Sequence, residues 1–354
     1  MRRHLDGLQI LRALAAVVVV FHHLFYHLDI RLYGETLTND FQMGGRGVQL
    51  FFVLSGFIIY YIHRQDSTGW APARLYLYKR LVRIFPLTFL VATGWALATL
   101  VMSQVGLSER QPDLATWLTS AFILPPLAKP DPIVIWTLRH ELFFYAIFLL
   151  GFFSRPAFFV AMGVWVLAAL AFPTGLSPES AVGWQLLTVL ARSNINILFA
   201  MGLVTAILVA QRKSDRDLTW LFVTGIVLLF AAGGLFGMQD FGRTETLIFG
   251  LISALTIYAA AGSKVTSRPL VFLGDASFSI YLVHLPVIAL LAPFLVPALG
   301  GISYLLAMVV IATLAIGLCC LFYMLVERPL IRALKPRKAM ADQSKTRSRV
   351  NQKA

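Results

Sequence analysis

The sequence predicts an all-α, polytopic membrane protein with about ten transmembrane helices and both termini in the cytoplasm. Three observations predict it. First, 58% of the 354 residues are hydrophobic and only 13% are charged, with a mean hydropathy of +0.76. A soluble domain carries about 45–50% apolar and about 25% charged residues, so the composition excludes a soluble enzyme, a disordered chain and a fibrous one. Second, apolar runs close to the about 20 residues needed to cross a bilayer recur along the chain. Third, the basic residues between those runs fall mostly into alternate connections, as the positive-inside rule requires.

The runs lie near 8–27, 45–62, 84–104, 135–153, 157–173, 192–210, 218–236, 245–262, 277–297 and 303–326. Met1-Arg2-Arg3 ahead of the first resembles a secretion signal, but Arg12 interrupts the apolar stretch and no small-residue cleavage site follows, so the expectation is a retained helix. With the N-terminus inside, 22 of the 30 Lys and Arg fall in inner segments and 6 in outer ones; Arg12 and Arg139 remain within spans. The net charge of +13 is therefore a topology signal and not a sign of a nucleic-acid partner. Residues 1–330 read as one membrane domain, and 331–354 as a basic, disordered cytoplasmic tail near anionic lipid. The adjacent Cys319 and Cys320 offer neither a disulfide framework nor metal spacing. The longest outer segment, about 105–134, is proline-rich and holds a short apolar piece, Leu114 to Leu124, that reads equally as a connector or as an interfacial element over an outward cavity.

Ionisable groups within spans are costly unless they face a cavity or a partner, so they point to function. In span one Arg12 and His23 are 11 positions apart, within about 20° of one helix face and about 16 Å apart along the axis. That spacing suits a long donor with a phosphate head, the cation holding the head and the imidazole meeting the reactive end. The plainer alternative is a snorkelling arginine and a histidine bonded to a neighbouring helix. Span four opens with Trp136-Thr137-Leu138-Arg139-His140-Glu141 and runs on to Tyr145. Its direction puts Glu141 at a depth similar to His23, where a carboxylate can orient an imidazole; alternatively Arg139 or His140 neutralises Glu141 locally. Arg80 and Arg83, in the inner loop 63–83 where a helix starts, share a face and can bind phosphate bidentately, or serve as interfacial anchors. Span nine carries Ser277, Ser279, Tyr281 and His284, with Pro286 expected to break the helix and expose backbone to a cavity. Ser55-Gly56 in span two reads first as close helix packing. His23 and His27 have the i, i+4 spacing of a zinc pair, but no further ligand set completes it, and no metal is expected.

Several segments, in order, resemble the acyltransferase-3 family of bacterial integral membrane proteins. Leu5-Asp6-Gly7-Leu8-Gln9-Ile10-Leu11-Arg12-Ala13 with His23 resembles its Arg-x10-His signature, and Phe51 to Ile59 its second-helix motif. Arg80-Leu81-Val82-Arg83 is similar to its Arg-x-x-Arg pair, and Trp136 to Tyr145 to its Trp-Ser-Leu-x-x-Glu-x-x-Phe-Tyr motif, with Thr137 where Ser is common. Leu273 to Pro286 resembles its late Ser-Tyr-x-x-His-Pro segment, with Phe278 replacing a common Tyr, and Glu327-Arg328-Pro329 its closing Glu-Lys-Pro. Among subgroups the chain looks most like the stand-alone exopolysaccharide O-acetyltransferases.

The resemblance implies transfer of an acyl group, usually acetyl, from cytoplasmic acetyl-CoA or another acyl-CoA to an extracytoplasmic or lipid-linked saccharide hydroxyl. It implies a multi-pass protein of the bacterial inner membrane, surrounded by the lipid bilayer and working beside polysaccharide-synthesis or export machinery, with no permanently bound cofactor. His23 is then the catalytic group, with Glu141 functionally important, and Arg12, Arg80 and Arg83 contact the donor. Ser55, Arg139, Ser279, Tyr281 and His284 are candidate supporting residues. Joined to the depth argument, this gives an expected hydrogen bond from His23 to Glu141. The rival classes are a transporter or flippase for a polysaccharide-related substrate, and a structural scaffold for an export machine.

Overall fold

A backbone in lipid must satisfy its own polar groups, and a chain of apolar runs separated by short polar connections does so with helices. A computed structural model describes residues 5–32, 42–108, 111–123, 126–236, 242–299 and 304–335, and among them it is helical with no strand. In order the α-helices are α1 Asp6–Leu32, α2 Arg46–His63, α3 Trp70–Gln104, α4 Leu114–Phe122, α5 Trp136–Leu149, α6 Arg155–Ala171 and α7 Trp184–Arg192. They continue as α8 Ile195–Gln211, α9 Thr219–Phe236, α10 Arg243–Ala260, α11 Arg268–Asp275, α12 Ser277–Ala298, α13 Tyr304–Phe322 and α14 Arg328–Ala333, with a π-helical turn at Tyr323–Glu327. Each of the ten expected spans overlaps a helix, and among the described residues seven helical stretches are long and apolar enough to cross a membrane. The side chain of His27, and the tail from 336 on, lie outside the described residues.

Hydrogen bonds between sequence-distant loops sort the helix ends into two groups. At the near end, where α1 begins, Gln9 donates to Asp275 (2.6 Å) and Thr266 to Asp6 (2.6 Å). There too the Gly69 N–H meets the Phe152 carbonyl and Tyr78 donates to the Leu334 carbonyl. At the far end Arg139 gathers the connection that follows α4 and the one that precedes α7, as described below. Helix α1 runs through the middle of the molecule, packed by α2, α10, α11, α12 and α13.

Lipid tails are as apolar as leucine, so helices in a membrane adhere by close backbone approach more than by burial. The α2–α8 pair shows this most clearly. A Cβ placed on Gly56 would strike the Phe199 carbonyl, and one on Gly202 the Val53 carbonyl, so the two backbones touch through hydrogen-only positions. The packing reading of Gly56 therefore holds, while Ser55 beside it points elsewhere.

Two expectations about helix continuity need correction. Residues 70–83 are not loop: α3 is a single helix of 35 residues through Pro86, about 52 Å long against a hydrocarbon core of about 30 Å. Its first turns therefore project beyond the core and carry Arg74, Lys79, Arg80 and Arg83 on a continuous helical surface. Similarly, Pro286 does not break α12, which continues from Ser277 to Ala298 through three prolines; each costs one backbone bond, and neighbouring helices hold the rod together. The short apolar piece after residue 113 forms the 9-residue α4, capped by Asp113 accepting from the Thr116 N–H (2.9 Å) and tied to α3 by Trp117 Nε1–H donating to Thr93 (3.1 Å).

Candidate functional site

Five helices converge on a cavity of about 120 Å³ that opens among the near-end charges. That is room for a chain of atoms and not merely a single water. One face of α2 supplies the largest share of the wall, from Val48 to Ile59 and including Ser55. Because α2 runs from far end to near end, its part of the lining extends about 16 Å between the two ends. Arg12 enters from α1, Arg80 and Arg83 from α3, Thr137, Glu141 and Tyr145 from α5, and Ser277, Phe278 and Tyr281 from α12. The spacing of Arg80 and Arg83 on one α3 face and of Glu141 and Tyr145 on one α5 face follows from the helical repeat.

The charge balance is the cavity's most distinctive property. Arg12 donates to Gln9 Oε1 and to Ser277 Oγ, both at 2.9 Å. Arg80 lies 5.9 Å from the ring centroids of both Tyr76 and Tyr145, and its buried Nε makes no hydrogen bond among the described residues. Arg83 stacks over Phe278 at 5.7 Å. Among the described residues none of these three guanidinium groups forms an ion pair with a carboxylate. Glu141 is turned instead to neutral donors, Tyr145 Oη–H on its own helix and Ser55 Oγ–H at 3.4 Å. Glu327 in the π-turn, a buried carboxylate, accepts from Ser279 Oγ–H. All three guanidinium groups thus line or border the cavity beside neutral groups, and a guanidinium is a rigid fork of donors of the kind that can match a phosphate.

At its far side the cavity ends at Tyr281, whose hydroxyl is 3.0 Å from Thr137 Oγ1 and donates to the Val134 carbonyl at 3.1 Å. Phe51 meets the Tyr281 ring edge-on. One turn beyond on α12 stands fully buried His284, whose Nε2 is 3.0 Å from His23 Nδ1 on α1. Thus the structure brings Arg12, Arg80, Arg83, Glu141, Ser55 and Tyr281 to one cavity and sets His23 and His284 just past its closed end. His23 is bonded to His284, whereas Glu141 is bonded to Tyr145 and Ser55. The expected His23–Glu141 hydrogen bond is not formed, because Tyr145 one turn along α5 reaches the carboxylate first.

Arg139 and His140 do not neutralise Glu141 either. Arg139 is 1% exposed and donates to three carbonyls, Ile123 (3.3 Å), Ala181 (3.0 Å) and Ala128 (3.4 Å), which clamps the far-end connections around α5. His140 Nδ1 lies 3.3 Å from Asn196 Oδ1 on α8. Ser279 does not line the cavity and holds Glu327 instead. Sequence reasoning named Tyr145, Ser277 and Glu327 within their segments but gave none of them a role in this region. The i, i+4 relation of Glu141 to Tyr145 could have signalled the first.

The fold and site define a multi-pass membrane protein with a cationic cavity that ends against paired histidines. Residues 5–324 match the family described as acyltransferase domain, and the chain belongs to this acyltransferase family. It is similar to the "Exopolysaccharide production protein ExoZ" of Rhizobium meliloti (strain 1021), with 29% identity over 324 residues that span 87% of this chain and 96% of the relative. No solved structure matches the chain.

Proposed function

We propose that this protein is a ten-span O-acyltransferase of the bacterial inner membrane, with both termini cytoplasmic, that moves an acetyl group from cytoplasmic acetyl-CoA to a hydroxyl of an exopolysaccharide or its lipid-linked precursor. The observation that carries the reading is the set of three guanidinium groups without carboxylate partners at the near end of a cavity that leads toward His23. The family supplies the reaction class, the name of the relative supplies the exopolysaccharide, and the inner-face excess of Lys and Arg supplies the orientation.

In this reading Arg80 and Arg83 hold the phosphates of the nucleotide end, where the orphaned Nε of Arg80 gains a partner. Arg12 meets the inner phosphate or the start of the pantetheine arm. From Arg12 to His23 the helix rises about 16 Å, a distance for the arm and not for the head. The arm follows the α2 wall, and Tyr281 swings from Thr137 to let the thioester reach the histidines. His23 then takes the proton of the sugar hydroxyl as the oxygen attacks the thioester carbon. The new C–O bond replaces the C–S bond, and the proton passes from His23 to the departing thiolate. If His23 itself attacks first, the acetyl group rests on the imidazole before the sugar oxygen displaces it.

Membranes of the native host supplied with acetyl-labelled coenzyme A test the function. The expected result is label in a saccharide fraction, lost with His23→Ala at matched protein abundance. Label without saccharide acceptance, or saccharide moved across the membrane without covalent change, would contradict it and favour a transporter.

A further inference from the structure

Every backbone carbonyl is an acceptor and never a donor, which lets carbonyl contacts assign histidine protons. His284 Nδ1 lies 3.0 Å from the Ile280 carbonyl, so Nδ1 carries the proton and the neutral ring presents a lone pair at Nε2. That Nε2 is 3.0 Å from His23 Nδ1. His23 Nδ1 is also 3.1 Å from the Val19 carbonyl. Each of these two groups accepts from His23 Nδ1, so its proton sits there, shared between them, and the lone pair of the neutral ring is on Nε2.

We propose that His284 is a positioning residue that fixes His23 in the Nδ1–H tautomer and thereby makes His23 Nε2 the atom that accepts the hydroxyl proton or the acyl group. The inference deepens the acyltransferase reading and rests on it for its catalytic meaning. The paired carbonyls of α1 and α12 act as a frame: each ring is tethered to the carbonyl four residues before it, and the two rings meet at 5.0 Å between centroids. When Nε2 gains a proton, His23 becomes an imidazolium and its Nδ1–H bond to His284 strengthens as a charge-assisted one. His284 thus does with a neutral acceptor what a carboxylate does in hydrolytic triads, orienting the base and holding its tautomer. This also accounts for Glu141 being engaged elsewhere: the orienting group for His23 comes from α12 and not from α5.

Histidine labelled with 15N in the full-length protein reads the tautomer directly, and His23→Asn identifies the His23 signals by their loss. The expected spectrum of neutral His23 shows a protonated Nδ1 and a bare Nε2. His284→Leu should turn this into a tautomer mixture and lower kcat on the order of ten-fold or more, with donor KM within about two-fold because the arginines lie elsewhere. His284→Gln, whose amide oxygen can stand where Nε2 was, should restore most of both. A proton on Nε2 of His23 in the wild-type protein would overturn the proposal, as would unchanged kcat in His284→Leu. If the Leu variant does not fold, the wild-type spectrum still decides. Absence of any acyl transfer by wild-type membranes would instead refute the reading beneath it, and the tautomer result would stand apart from that failure.

Discussion

At the residue scale the decisive feature is which groups share the cavity and which partners they take. Among the described residues Arg80 and Arg83 meet aromatic faces and form no ion pair with a carboxylate, which in the proposed reading leaves their charge to the donor. A charge-assisted hydrogen bond is worth about 1.5–3 kcal/mol, so Arg80→Ala should raise the donor KM about ten-fold or more, measured with labelled acetyl-CoA; an unchanged KM would remove Arg80 from donor binding. The sequence made the arginines and Glu141 legible because ionisable groups inside apolar runs stand out. It could not show the partner of His23, because His284 is 261 positions away and only the packing of α12 on α1 joins them. The partner of Glu141 was within reach, since Tyr145 lies one turn away on the same helix, but depth matching drew the reasoning to the opposing helix. Arg139 illustrates the same limit. Its charge within a span looked functional, while its three carbonyl partners come from two loops that no helical spacing connects.

At the element scale, α2 is the wall on which the site depends, and its seat against α8 is set by two glycines. Gly56→Leu or Gly202→Leu should push the helices apart, and the measured consequence is loss of folded protein in the membrane fraction; normal abundance would show that the contact is dispensable. Arg139 belongs to this scale as well. Arg139→Gln leaves buried carbonyls without their donor, at about 1–3 kcal/mol for each group that finds no other. The expected outcome is a lowered melting temperature of the purified protein with donor binding per folded molecule retained. A large loss of donor affinity at unchanged stability would place Arg139 in the site after all. Helix existence was legible throughout, since apolar length alone demands it. Helix ends were not: Trp70–Phe85 carries enough polar residues to look like a loop, yet it continues α3, because the backbone needs its hydrogen bonds whether or not the side chains are apolar.

At the scale of the whole molecule, the proposed transfer requires a polarity. The guanidinium end must face the compartment that holds the donor, and the histidine pair must face the acceptor. Ten spans with both ends inside predict that a reporter active only in the cytoplasm works when fused at the C-terminus and fails when inserted near Glu179, in the α6–α7 connection. Activity at Glu179 would break the topology. The most direct test of the central claim supplies the donor from one side only. Inside-out and right-side-out vesicles carrying the wild-type protein and its saccharide acceptor are each given acetyl-labelled coenzyme A externally. Saccharide labelling is expected in the inside-out vesicles alone, abolished by His23→Ala. Equal labelling in both orientations, or labelling that survives the loss of His23, would contradict that claim.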